Sequence, residues 1–91
     1  MQNDERIIAL QLQVDNERSA IAALNARLSD PIVKARLHQA TLWLDEVGMY
    51  LHSARAEKRT PEELARWLSR AGEPLQWARE RLKEIVEASS R

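Results

Sequence analysis

The chain has 91 residues, and its fourteen basic and fourteen acidic side chains cancel to a formal net charge of zero. That balance removes any global attraction to nucleic acid, anionic membranes or acidic substrates, and the absence of cysteine excludes disulfides and thiolate metal sites. With only two Gly, three Pro and no Phe, against abundant Ala, Leu, Glu and Arg, the composition is that of an all-α fold in a single domain, 1–91.

The opening Met1-Gln2-Asn3-Asp4-Glu5-Arg6 is polar and unlike a secretion leader. Apolar runs stay far below the roughly 20 residues that cross a bilayer. A soluble, cytoplasmic chain with no membrane partner is the expectation.

The first helix is predicted over about 4–28. Ile7, Leu10, Val14, Ile21, Leu24 and Leu28 recur at alternating steps of three and four, with Glu17 the polar intruder in that seam. Such spacing keeps one stripe toward a partner helix. Glu17 is expected to set the register or to meet an Arg from another helix.

A break follows at Leu28-Ser29-Asp30-Pro31. Proline disfavours helical geometry at the residue before it and suits the first helical position after it. Asp30 or Ser29 then caps a second helix over 31–58. Its seam is Val33, Leu37, Ala40, Leu44, Val47, Leu51 and Ala54. Gly48, beside that seam, is read as the mark of a close helix crossing, with a ligand slot as the sharper reading.

The second break, Lys58-Arg59-Thr60-Pro61-Glu62-Glu63, combines an N-cap, a proline at the first helical position and a capping-box glutamate. The third helix, over 61–88, carries Leu64, Leu68, Ala71, Leu75, Ala78, Leu82 and Ile85. Gly72-Glu73-Pro74 can kink or break it, and the heptad phase running through it unchanged favours a kinked continuous helix. Short connections make sequential helices antiparallel, so the predicted architecture is a coiled-coil-like three-helix bundle.

Apolar residues outnumber the seam positions. With the seam positions named a and d, Ile8 and Leu12 fall on the outer face of helix one, and Leu42 and Met49 on that of helix two. Trp77 points away from the third seam. Trp43, Tyr50, Trp67 and Val86 occupy flanking positions, which a three-helix bundle half buries. Ile8, Leu12, Leu42, Trp43, Met49, Tyr50, Trp67 and Trp77 are therefore the candidate association residues, since aromatic and Met side chains are enriched at interface centres.

No residues announce catalysis, a cofactor or a metal. His38, Asp45 and His52 line up on helix two, but seven residues rise about 10.5 Å, too far for one ion whose ligands sit about 2 Å away. Residues 60–88 have a loose helix-turn-helix spacing with Arg79, Arg81 and Lys83, diluted by Glu80, Glu84 and Glu87. Arg55, Lys58, Arg59, Arg66 and Arg70 make a basic cluster, likewise diluted by Glu57, Glu62 and Glu63.

The leading expectation is a non-enzymatic interaction protein, a homo-oligomer with a dimer favoured, or the binder of another protein. A small bacterial or phage regulator or inhibitor would have this make-up. A helix-turn-helix DNA-binding regulator using 60–88, and a small-ligand or enzyme site near Gly48, are the alternatives.

Overall fold

A computed structural model describes residues 2–56 and 58–90, with side chains described from Asp4 onward. Three helices account for nearly all of it: α1 (Gln2–Arg27), α2 (Pro31–Ala56) and α3 (Pro61–Ser89). The expected extension of the second helix to residue 58 runs into Glu57, which lies outside the described residues. The body measures 47 × 18 × 17 Å, the shape of rods packed side by side.

The cross-helix pairs fix the direction of each rod. Arg18 meets Asp45, and Lys34 reaches Asn25, so α1 and α2 run antiparallel. Arg36 with Glu84, Trp43 with Trp77, and Tyr50 with Trp67 step oppositely along α2 and α3, so these are antiparallel as well.

Both breaks are built as their residues dictate. The Asp30 carboxylate accepts the Ile32 amide at 2.9 Å, satisfying one of the free N–H groups at the start of α2. The Thr60 hydroxyl accepts the Glu63 amide at 3.2 Å from an extended backbone, with Pro61 next in line. Glu62 and Glu63 occupy the first turn, where the helix dipole favours negative charge.

Apart from Pro74, every buried apolar residue belongs to one of the three heptad seams. Leu10, Leu28, Val33 and Leu64 complete those seams as half-buried residues against the core. Leu37, Leu44, Leu51, Leu68 and Ile85 are the largest fully buried side chains, each worth roughly 1.5–3 kcal/mol of apolar burial. Among the described residues no polar or charged one is buried. The α2–α3 contact is the most extensive of the three.

One open alternative is decided and one expectation is corrected. Helix α3 is continuous through Gly72 and Pro74, as its unchanged heptad phase favours, with Pro74 buried inside it. Proline removes the bond to the carbonyl four residues back, but Leu68, Ala71, Leu75 and Ala78 are buried on both sides of it and hold the helix on its seam. Gly48 marks no close crossing, because a Cβ placed there would meet nothing within 4 Å.

Candidate functional site

The seams build nearly all of the buried interior, and the placement of the off-seam apolar residues at its edge or outside it defines the candidate surface. Ile8, Leu12, Leu42, Met49 and Trp77 are exposed, from 45% for Trp77 to 71% for Met49. Trp43, Tyr50 and Trp67 are half-buried and pack against the core. Val86, read as half-buried, is exposed at 47%. It lines an open groove between α1 and α3 with Glu17, Ala20, Arg79, Lys83 and Glu87.

The four aromatic residues meet in two pairs along the α2–α3 contact. Trp43 and Trp77 touch edge to face with ring centres 6.0 Å apart. Tyr50 and Trp67 do so at 4.8 Å, and the Trp67 indole N–H donates to the Tyr50 carbonyl at 2.8 Å. That carbonyl belongs to a helix interior and takes the indole as an additional donor. Each pair carries a guanidinium: Arg81 lies 5.1 Å from the Trp43 ring and Arg59 4.3 Å from the Trp67 ring. The quadrupole of an aromatic ring attracts a cation to its face.

Trp67 forms a wall common to two shallow grooves. On one side it faces Met49, Tyr50, Glu46 and Ser53. On the other it stands among Arg59, Arg66, Arg70 and Glu63. The sequence cluster of basic residues at the second turn is thus partly assembled beside an aromatic ring.

Ile32 was missed in the sequence reading, and at 72% it is the most exposed of the large apolar side chains among the described residues. A signal for it exists. Ile32, Ala35, Gln39, Leu42, Glu46, Met49, Ser53 and Ala56 follow a second three-and-four spacing on the outer face of α2. All but the half-buried Ser53 are exposed. The same kind of stripe runs along α1 as Glu5, Ile8, Leu12, Asp15, Ser19, Ala22 and Ala26, all exposed.

Glu17 is half-buried in the α1 seam, and the Arg79 guanidinium of α3 lies 3.8 Å from its carboxylate. An Arg from another helix is what that seam position required. His38 and His52 are exposed. Among the described residues no cluster of three or more His, Cys, Asp or Glu is placed to hold a metal ion. No described helix is long and apolar enough to cross a membrane.

The helix-turn-helix spacing does not form one. Its turn would lie at Gly72-Pro74, where α3 is continuous. Arg79, Arg81 and Lys83 project from the same continuous helix as Glu80, Glu84 and Glu87, and Arg81 lies 3.9 Å from the Glu84 carboxylate.

No known family model matches this chain, and no curated protein or solved structure shows significant similarity to it.

Proposed function

We propose that this protein is a non-enzymatic interaction module that associates with itself through the outer face of α2 and the adjoining aromatic groove of α3. The observation that carries this reading is a surplus. Leu42, Met49 and Trp77 stand exposed beside Trp43, Tyr50 and Trp67, although the seams already supply a closed apolar core. A folded chain that leaves such a face bare loses the free energy of covering it, about 25 cal/mol for each Å² of apolar surface.

Self-association is the simplest way to cover it. A 91-residue bundle has a modest core for its surface, and chains of this size commonly complete it by oligomerising. Aromatic and Met side chains are those that anchor interface centres, and a ring presented on a rigid helix loses little entropy on docking. The smallest product is a dimer.

Oxidation of Met49 tests the face itself. Dilute peroxide converts an exposed thioether to its sulfoxide. The Met49 peptide is expected to oxidise quickly in dilute protein and several-fold more slowly in concentrated protein. A rate independent of concentration would remove Met49 from any self-association surface.

A further inference from the structure

We infer that the aromatic groove beside Trp67 is filled by the outer stripe of α1 from a second copy of this chain. This rests on the self-association reading and names the occupant. The occupant must end in exposed apolar side chains, because Met49 and the Trp67 and Tyr50 rings offer mainly apolar surface. It must also carry negative charge nearby, because among the described residues Arg66 and Arg70 stand with Arg59 against Glu63 on the other side of Trp67, while Glu46 is the one acid on the Met49 side.

Helix α1 has both features on one stripe. Glu5, Ile8, Leu12 and Asp15 recur at steps of three, four and three, all exposed, so two carboxylates bracket the two large apolar side chains. Between residues 4 and 16, α1 carries Asp4, Glu5 and Asp15 against Arg6 alone. An acid-flanked apolar ridge facing an arginine-flanked aromatic groove is complementary in both shape class and charge, which sets register and suppresses wrong partners.

Within one chain Ile8 and Leu12 are exposed while the groove opens along the α2–α3 contact, so the ridge is left bare for another copy. The contact therefore joins unlike surfaces of two copies, a heterologous contact.

Sedimentation velocity on the full chain and two surface variants decides it. Ile8→Ser with Leu12→Ser removes the ridge, and Arg66→Glu with Arg70→Glu inverts the groove. All four positions are exposed, and unchanged thermal melts establish that both variants fold. Each variant alone should sediment as a monomer where wild type associates, its self-affinity down by more than about tenfold, as for loss of an interface anchor. An equimolar mixture should recover a 1:1 complex, because each variant retains the surface that the other lacks.

If the ridge variant self-associates like wild type, or the mixture stays monomeric, α1 is not the occupant, and the self-association reading survives. If wild type itself is monomeric throughout, that reading falls and takes this inference with it.

Discussion

Trp43 of α2 and Trp77 of α3 meet edge to face, with ring centres 6.0 Å apart and planes inclined at 62°. The pair closes the outer side of the α2–α3 contact while leaving Trp77 45% exposed. One ring thus belongs to the fold and the other mainly to the surface.

Replacement of Trp77 and of the half-buried Trp67 should separate a surface indole from one that supports the fold. Trp77→Ala removes an edge contact and is expected to lower stability by about 1 kcal/mol. Trp67→Ala removes an indole hydrogen bond, the Tyr50 contact and the stacked Arg59, and should lower it by about 3 kcal/mol or more. Urea unfolding followed by circular dichroism measures both. Equal losses would mean that Trp77 is as much a core residue as Trp67.

Glycine in mid-helix costs about 0.5–1 kcal/mol relative to alanine. A Cβ at Gly48 or Gly72 meets nothing within 4 Å. Gly48→Ala and Gly72→Ala should therefore each raise the melting temperature. A loss of stability at either site would show that the added methyl group clashes.

Glu17 holds a seam position while its partner Arg79 is more than half exposed and 3.8 Å away. Partly exposed pairs of this kind contribute little, about 0–1 kcal/mol. Glu17→Leu should stabilise the bundle by about 1 kcal/mol through added burial. Destabilisation in a urea melt would assign the carboxylate a larger part in positioning α1 against α3.

Thr60 and Asp30 each satisfy an amide at a helix start. Alanine at either position should cost about 1 kcal/mol, without altering the helical signal at low temperature. No loss at Thr60 would mean that Pro61 and the first-turn glutamates suffice to start α3.

The seams were readable in the sequence because heptad spacing reports each residue's angle around its own helix. That angle placed Leu44, Val47 and Leu68 inside and Met49 and Ile8 outside. It carries no information on the side of α2 on which α3 lies, so the pairing of Trp43 with Trp77, and of Tyr50 with Trp67, could not be derived. Val86 went wrong for the same reason, since its flanking position is covered only if α1 and α3 close tightly there. Ile32 escaped because the stripe it shares with Leu42 and Met49 is interrupted by Ala35, Gln39 and Glu46, which weaken its apolar signal. Gly72 and Pro74 left a break open on local propensity, but the seam running through them in phase favoured the continuous helix that α3 forms.

Sedimentation equilibrium of wild type beside Leu42→Ser with Met49→Ser tests most directly whether the bare face of α2 is covered by another copy. Wild type should give a weight-average mass that rises with concentration above that of one chain, and the double variant the mass of one chain with an unchanged melt. A wild-type mass fixed at one chain over the whole range, or a variant that associates equally well, would contradict the account.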